Sequence, residues 1–369
     1  MFCPPPQMAT TMKALQWDAK SEKLSMVEVP VPTVTNPFDV VVKVGFVGVC
    51  GSDLLVLRKI HPAAEKVILG HEFAGTVHAV GTMVSSLQVG DRVCVNPNGN
   101  CNGCRFCIRG QPHFCTTGKS AKNIRDLGIF WDGAMADFCM VPADQVFRIP
   151  DDMSIQQAVL CEPYSCVIHG YERISPLLPE TRILILGAGI IGMLFAALFQ
   201  HRGFPDVTVS EPSELRRKTV SRIGKGCRGV SPTELKSLST EKDAEDVGFD
   251  VIVDTSGVPM ATQQAIPLLR HGGKLLIFGC CPADKQLSFN PHDAWMKEIT
   301  ILTSRINPFC FPKAIGLVNN MAADYLSFEK LGVKVFSMHD YQDAIEMLKK
   351  GEITKALMEP SGLGECNNV

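Results

Sequence analysis

The sequence predicts an α/β protein with two domains, the first rich in β-strands and the second containing a doubly wound parallel sheet. Its 369 residues are about two and a half times the length of a typical domain of roughly 150 residues, which indicates at least two domains. Short apolar runs at 40–49, 75–80 and 92–95 are separated by Gly, Pro and Asn clusters, as is typical of strands joined by turns. From Thr181 onwards, apolar strands alternate with helices, which predicts βαβ units on a parallel sheet.

The elements of the second domain are predicted from apolar runs and from residues that begin or end helices. The predicted strands are 182–186, 207–210, 250–254 and 274–278. Ser213 is the expected N-cap of a helix over 213–224, and Pro259 begins a helix over 260–270 that ends near Gly272. A further helix is predicted over 190–199, and two more follow Pro312, the second over 341–350 after Asp340.

Composition excludes several classes of function. Lys and Arg total 36 against 38 Asp and Glu, which gives a net charge of −2 and argues against nucleic acid or an anionic membrane as the main partner. Residues 183–200 form an uncharged stretch close to membrane-spanning length, but its glycines favour the nucleotide-binding interpretation below. Residues 1–11 contain three prolines and no basic residue, so we expect no export or transit signal and a cytoplasmic protein.

The 15 cysteines indicate metal binding, because clustered cysteines in a chain without an export signal more often bind metals than form disulfides. Cys101, Cys104, Cys107 and Cys115 lie within fifteen residues of sequence, a spacing that suits a closed tetrahedral zinc site. A [4Fe–4S] cluster is the alternative, although its motif continues with the fourth cysteine after three residues and a proline. Four sulfur ligands leave no coordination position for water, so this zinc would be structural.

Residues 187–192 read G-x-G-x-x-G, directly after a predicted strand and at the start of an apolar helix. In this context Gly187 permits the tight turn, Gly189 lets the backbone approach a pyrophosphate, and Gly192 allows close helix–sheet packing. We therefore expect Gly187, Gly189, Ile191 and Gly192 to bind a dinucleotide.

Glu211 ends the next predicted strand, where a carboxylate can accept hydrogen bonds from the 2′-hydroxyl of the ribose and would repel a 2′-phosphate. This favours NAD over NADP. Arg216 and Arg217 are the evidence against it, since an arginine here could hold the phosphate.

A second metal signature is spread along the first domain. Cys50, His71, Glu72 and Glu162 would supply one thiolate, one imidazole and one or two carboxylates, leaving room for water or substrate on a zinc ion. Spacing alone does not establish this site.

Taken together, these segments resemble the medium-chain, zinc-dependent alcohol and polyol dehydrogenase family. The matches are Cys50-Gly51-Ser52-Asp53, Gly70-His71-Glu72-x2-Gly75-x5-Gly81, Gly90-Asp91-Arg92-Val93, the four cysteines and Gly187–Gly192. Glu162-Pro163 is similar to the sorbitol dehydrogenase branch. The resemblance implies a GroES-like catalytic domain over 1–163 with a cysteine lobe at 96–118, a Rossmann domain over 164–304, and a return to the catalytic domain over 305–369.

The same resemblance implies roles for individual residues. Cys50, His71 and Glu72 would be the first-choice ligands of a catalytic zinc, and Glu162 either a ligand or the holder of a zinc-bound water. Ser52 would take the hydroxyl proton of the substrate, and Arg305 would face the polyol. Asp53 would orient His71. The implied reaction transfers a hydride from a secondary hydroxyl of a polyol such as sorbitol, xylitol or arabinitol to NAD⁺ and yields a ketose, in a homodimer or homotetramer.

The sequence departs from the polyol branch at Leu54, Leu55 and Val56, where Val-His-Tyr is common. The relay histidine is therefore absent and the pocket more apolar, which puts sorbitol itself in doubt. Oxidation of an amino alcohol such as threonine, or of a simple secondary alcohol, is the alternative within enzymes. A scaffold that binds NAD without catalysis and a redox sensor built on the cysteine lobe are alternatives from other classes.

Overall fold

The computed structural model describes residues 10–115, 126–241 and 248–360. Most of the predicted amino-terminal arm and residues 116–118 of the predicted lobe lie outside this range. The chain divides into two compact units. One contains the described residues up to Glu162 together with Val335–Gln342 and the residues from Leu357 onward, and the other contains Pro163–Lys334 and Asp343–Ala356. Residues 305–334 thus belong to the second unit.

The first unit is built mainly from strands. They are β1 (Thr11–Asp18), β2 (Lys23–Pro30), β3 (Asp39–Gly48), β4 (Lys66–Ile68), β5 (Glu72–Val80), β6 (Arg92–Val95), β7 (Phe138–Pro142) and β8 (Val146–Arg148). The helices up to the unit boundary are short: α1 (Gly51–Leu57), α2 (Arg105–Ile108) and α3 (Ile155–Ala158). Helix α4 (Cys161–Ile174) begins at the boundary.

Two antiparallel arrangements organise these strands. Strand β1 lies between β2 and β4 in a three-stranded sheet, and β3 pairs with both β5 and β7 in a larger one. The valines of β3 at positions 40, 41, 42, 44 and 47 are at most 1% exposed, so they form the centre of the core. This strand is buried over nearly its whole length, which explains why its sequence is a continuous apolar run rather than an alternating one.

The second unit alternates strands and helices. The strands are β9 (Ile183–Leu186), β10 (Val207–Ser210), β11 (Cys227–Val230), β12 (Phe249–Asp254), β13 (Leu269–Ile277) and β14 (Thr300–Thr303). The helices are α5 (Ile190–His201), α6 (Glu214–Val220), α7 (Pro232–Glu241), α8 (Pro259–Ala265), α9 (Pro291–Met296), α10 (Phe311–Met321) and α11 (Phe328–Leu331). The last elements of the described residues are β15 (Val333–Ser337), α12 (Tyr341–Lys350) and β16 (Lys355–Glu359).

The sheet of the second unit has the order β11-β10-β9-β12-β13-β14, and its pairings are all parallel. This is the 3-2-1-4-5-6 order of dinucleotide-binding sheets, in which ligands bind where the strand order reverses, beside the first strand. The predicted doubly wound parallel sheet is therefore confirmed, with its switch point next to β9.

The uncharged stretch at 183–200 consists of β9 and most of α5. All four residues of β9 and residues 192–199 of α5 are buried, so the apolar composition reflects a strand and a helix packed inside the unit. Among the described residues, no helix is both long and apolar enough to cross a membrane.

Two helix predictions were too long. The helix over 260–270 ends at Ala265 and passes through one 3-10 turn, Ile266–Leu268, directly into β13, which contains Gly272. Pro267 lies in that turn, and a proline cannot supply the N–H that would continue an α-helix. Helix α6 ends at Val220 rather than at 224, although Ser213 is its N-cap, as predicted, and accepts the Arg216 N–H.

Candidate metal and coenzyme sites

The pairing of β3 with β5 brings the distant ligands of the second metal signature together. In this antiparallel register Gly48 lies opposite Glu72. Cys50 follows the end of β3 by two residues and His71 immediately precedes β5, so both residues lie at the same end of the strand pair. One ligand atom from each of Cys50, His71 and Glu72 lies within 4.8 Å of the other two.

Three glycines of the G-H-E-x2-G-x5-G motif permit this close strand pairing. Gly70 has a φ of +93°, and a Cβ there would lie 2.8 Å from side-chain atoms of Met135 and Val47. A Cβ on Gly75 would lie 2.0 Å from the carbonyl oxygen of Lys43, in the partner strand. On Gly81 it would lie 2.2 Å from a carbonyl oxygen of Pro37. The motif therefore fixes the backbone that carries His71 and Glu72.

Asp53 contacts two residues of the cluster, Cys50 and His71. Its Oδ2 accepts the Cys50 N–H at 2.8 Å, and its Oδ1 lies 3.6 Å from His71 Nδ1. These two facing atoms, Asp53 Oδ1 and His71 Nδ1, are buried and have no hydrogen-bond partner. A modest closure of the gap would pair them, which would direct Nε2 of the imidazole towards a metal.

The charges of the clustered side chains favour binding of a cation. Burial lowers the pKa of His71, but the charges of Cys50 and Asp53 outweigh it and raise this pKa well above its usual value. Both Glu72 and Asp53 are 1% exposed. Several anionic groups packed this closely away from water are costly unless a cation compensates for their charge. A thiolate, an imidazole and a carboxylate are the donor set of a catalytic zinc, so the residues fit that ion.

Ser52, Glu162 and Arg305 were also predicted as site residues. Ser52 Oγ lies 3.3 Å from His71 Nε2, so it is adjacent to the cluster. Glu162 is buried in the first turn of α4 but is not one of the three clustered residues. Arg305 follows β14 in the second unit and is exposed. The roles of these residues are considered below as proposals.

The four cysteines of the predicted lobe converge on one point. Their Sγ–Sγ distances are 3.4 Å for Cys115–Cys101, 3.6 Å for Cys104–Cys107, 3.7 Å for Cys104–Cys115 and 4.0 Å for Cys101–Cys107. A tetrahedron with Zn–S bonds of about 2.3 Å has S–S edges of about 3.8 Å. None of these four thiols forms a disulfide, and their spacing matches this polyhedron, so the lobe can hold a closed zinc ion.

In the described part of the lobe, the helix α2 contributes no buried residue. The rings of Phe106 and Phe114 contact each other, with their centroids 5.9 Å apart. Desolvation and hydrogen bonds with the other thiols raise the pKa of Cys107 to about 12. Four thiolates therefore need a cation to coexist here.

We expect Cys104→Ser to remove one zinc ion per chain and to unfold the lobe while the rest of the protein stays folded. The reason is that structural zinc supplies folding free energy to small segments without a core. Metal analysis would measure the zinc, and limited trypsin digestion would detect new cleavage at the exposed Arg105 and Arg109. Cys281→Ser, at an exposed cysteine outside the lobe, is the control. Retention of the zinc by Cys104→Ser would contradict the assignment.

The G-x-G-x-x-G segment at 187–192, called the dinucleotide fingerprint below, has the expected geometry. Gly187 has a φ of +98°, and a Cβ on Gly192 would lie 2.0 Å from the Gly187 carbonyl oxygen. Gly189 is the N-cap of α5, and a Cβ there would meet no atom within 4 Å. Thr255 Oγ1 donates to the carbonyls of Leu186 and Gly187 at 2.8 and 3.2 Å, which secures the turn. The helix N-terminus is thus open for a phosphate group.

Glu211 directly follows the carboxyl end of β10, the neighbour of β9, and is 6% exposed. Its Oε2 accepts the Ala188 N–H at 2.8 Å and its Oε1 accepts the Ser213 N–H at 2.9 Å. Arg216 donates through Nη2 to the Ile353 carbonyl at 2.9 Å, and Arg217 through Nη1 to the carbonyls of Glu211 and Pro212. Both arginines are therefore engaged with backbone oxygens.

A cavity of about 350 Å³ lies beside the fingerprint within the second unit. Gly187, Gly189, Glu211 and Arg216 line it, together with an apolar wall made of Pro212, Pro232, Leu235, Val258 and Ala261. Sequence reasoning missed this wall, since β11 was not among the predicted strands. The rule that ligands bind beyond the carboxyl ends of the strands would have indicated Pro232, which follows β11 by two residues.

Two family models match the chain. The alcohol dehydrogenase GroES-like domain matches residues 36–151, and the zinc-binding dehydrogenase model matches residues 191–320. The first match covers the Cys50–His71–Glu72 cluster and the four cysteines, and confirms the GroES-like expectation for the first unit.

Curated relatives agree with these models. A D-arabinitol dehydrogenase from Uromyces fabae is 28% identical over 95% of this chain and 97% of its own length. A sorbitol dehydrogenase from Bacillus subtilis is 32% identical over 92% of this chain and 95% of its own. An L-threonine 3-dehydrogenase from Shewanella loihica is 30% identical over 76% and 80%.

Solved structures share the fold along nearly the whole chain. A Sinorhizobium meliloti protein solved with NADP has a TM-score of 0.86 and 28% identity, with 95% of this chain and 100% of that chain covered. An alcohol dehydrogenase from Escherichia coli CFT073 solved with NADH has a TM-score of 0.83, 25% identity and the same coverage. The motifs of the present chain, the two family models that match it and its relatives show that it belongs to the medium-chain, zinc-dependent alcohol and polyol dehydrogenase family.

Proposed function

We propose that this dehydrogenase oxidises a secondary hydroxyl of a polyol to a ketone with NAD⁺ as the hydride acceptor. The observation that carries the proposal is the clustering of Cys50, His71 and Glu72, with Ser52 beside them. Arabinitol and sorbitol dehydrogenases among the relatives favour a polyol such as arabinitol, xylitol or sorbitol.

The residues of the cluster have distinct parts in this reaction. A zinc ion held by Cys50, His71 and a carboxylate would supply Lewis-acid chemistry at the substrate oxygen. Asp53 Oδ1 faces His71 Nδ1 at 3.6 Å and would orient the His71 ring once this gap closes. Ser52 accepts the proton of the hydroxyl, and because its side chain is partly exposed it can pass the proton to water. Leu55, one turn further along α1, cannot continue a relay through this helix.

Glu162 and Arg305 also keep proposed roles. Glu162 carries a buried carboxylate in the same unit, which suits either a fourth ligand or a holder of water beside the metal. Arg305 is exposed and offers guanidinium donors, which suit the vicinal hydroxyls of a polyol.

A substrate panel tests the proposal directly. Pentitols, hexitols, inositols, L-threonine and simple secondary alcohols would each be offered with NAD⁺, and formation of reduced nicotinamide would be followed by absorbance. We expect the highest kcat/KM for a polyol. The second candidate is an amino alcohol, because threonine dehydrogenases are also among the relatives and Leu54–Val56 make this segment apolar. A higher kcat/KM for threonine or a simple alcohol would reject the polyol assignment.

We propose NAD rather than NADP as the coenzyme. The Glu211 carboxylate is fixed by two N–H groups where the adenosine ribose would bind, and it would repel a 2′-phosphate. Arg216 and Arg217 donate to carbonyl oxygens, which reduces their capacity to bind that phosphate. The relatives do not decide the question, since solved structures with NADP and with NADH both match.

We expect Glu211→Gln to lower kcat/KM for NAD⁺ by about 10-fold to 100-fold, because a hydrogen bond to a charged group contributes about 1.5–3 kcal/mol. The variant should use NADP⁺ better than the wild type does, since the repulsive charge is gone. Steady-state kinetics with both coenzymes measure this ratio. Glu214→Gln, at an exposed acid in α6, is the matched control. An unchanged NAD⁺/NADP⁺ ratio would remove Glu211 from coenzyme selection.

We also propose that the protein forms a homodimer or homotetramer. Strand β14 is an edge of the six-stranded sheet, and Ile301 on it and Trp295 in α9 are exposed apolar side chains. Exposed edges of this kind are usually covered in native proteins. Light scattering would measure the mass in solution, and a monomer would contradict the proposal.

A further inference from the structure

A third group of potential metal ligands lies in the second unit, outside the fingerprint and its cavity. His169 and Glu172 are three residues apart on α4 and so face the same side of this helix. Cys310 is the N-cap of α10. One ligand atom of each residue lies within 4.8 Å of the other two, although Cys310 is about 140 residues from the others in sequence.

The hydrogen bonds of Glu172 leave one of its oxygens directed into this group. Lys313 Nζ binds Oε1 at 2.5 Å, while Oε2 accepts the Cys310 Sγ–H at 3.6 Å. The lysine therefore orients the carboxylate without occupying the oxygen that faces the thiol. This is the arrangement of a monodentate carboxylate ligand whose second oxygen is held by a neighbouring donor.

Burial shifts the protonation equilibria of His169 and Cys310 in opposite directions. Burial and the charge of Arg173 lower the pKa of His169, so its ring is neutral near pH 7, which is the form that binds metals. Burial raises the pKa of the Cys310 thiol to about 12. The Cys310 thiol faces both the Pro308 carbonyl oxygen at 3.3 Å and Glu172 Oε2 at 3.6 Å, and a bound cation would replace its proton.

We propose that His169, Glu172 and Cys310 form a further binding site for a zinc-class divalent cation, which would connect α4 to the start of α10. Nitrogen, oxygen and sulfur donors together suit zinc better than the oxygen-preferring Mg²⁺ or Ca²⁺. Three protein ligands leave the fourth position to water. The site uses no residue of the proposed reaction, so the two proposals stand or fall separately.

The test is zinc titration of the folded wild-type protein after dialysis against metal-free buffer, followed by isothermal calorimetry and by thermal unfolding. We expect wild type to bind one more equivalent of zinc than Cys310→Ser, with a rise in Tm that this variant lacks. Because the result is a difference between two proteins, it does not depend on how fully the other two cysteine-containing clusters are loaded.

Two further variants complete the design. Glu172→Gln changes an exposed side chain and so tests the site even if Cys310→Ser does not fold. We expect it to weaken the additional binding event by at least about 10-fold. Cys281→Ser, at an exposed cysteine outside the group, should leave this event unchanged. The proposal is overturned if wild type binds no additional equivalent, or if Glu172→Gln binds it as tightly as wild type.

Discussion

Cys50→Ser is expected to lower kcat/KM for the best alcohol substrate by about 1000-fold. The Lewis-acid contribution of a zinc ion is several kcal/mol, and about 4 kcal/mol corresponds to this factor. Serine replaces the sulfur donor with a hydroxyl that stays neutral near pH 7, so the cluster loses both a preferred ligand and a negative charge. The Cys50 N–H that binds Asp53 is a backbone group and is unaffected by the substitution.

Zinc analysis and coenzyme binding identify the cause of the loss. We expect the variant to lose one zinc ion and to bind NADH as wild type does, because the fingerprint and its cavity lie in the other unit. Cys281→Ser should keep wild-type activity. A Cys50→Ser enzyme with wild-type zinc content and kcat/KM would refute the ligand assignment, and with it the mechanism proposed for Ser52.

The same measurements on Glu72→Gln and Glu162→Gln would separate the two carboxylates, a question that the sequence left open. Glu72 is clustered with Cys50 and His71, whereas Glu162 is buried but not among the three. The geometry therefore favours Glu72 as the third ligand. Sequence spacing could not make this distinction, because it depends on the register of β3 with β5 and on the direction of each side chain.

Predictions from sequence succeeded where a motif residue is needed by the backbone conformation or by a close backbone contact. Gly70, Gly75 and Gly192 each lie where a Cβ would come within 3 Å of another atom, so these glycines mark their turns and strand contacts directly. The zinc ligands of the four-cysteine lobe were equally predictable from sequence. They lie near one another in the chain, so a short segment is enough to bring them together.

Features that depend on distant contacts were not predictable in this way. The group at His169 needs α4 and the start of α10 to meet, although Cys310 is about 140 residues from His169 in sequence. The wall of the coenzyme cavity needs the carboxyl end of β11, whose sequence Cys227–Val230 is too short and too mixed to be recognised as a strand. In both cases tertiary packing provides information that local periodicity lacks.

Gly192→Ala is expected to destabilise the second unit strongly. Its Cβ would lie 2.0 Å from the Gly187 carbonyl oxygen, and since that atom belongs to the backbone, β9 or α5 would have to move. Overpacking of this kind costs about 3 kcal/mol. We expect a lower free energy of unfolding in urea, together with weaker NADH binding, because the moved segment carries the phosphate-binding N–H groups.

Gly189→Ala separates the two effects. A Cβ at this position meets no protein atom within 4 Å, and the φ of −69° is accessible to alanine, so the free energy of unfolding should change by less than about 0.5 kcal/mol. The new methyl group would nevertheless occupy the space where the pyrophosphate approaches the backbone, and we expect NADH to bind at least about 10-fold more weakly. If Gly189→Ala bound NADH as wild type does, the coenzyme could not lie against the N-terminus of α5, and the dinucleotide site would have to be placed elsewhere in the unit.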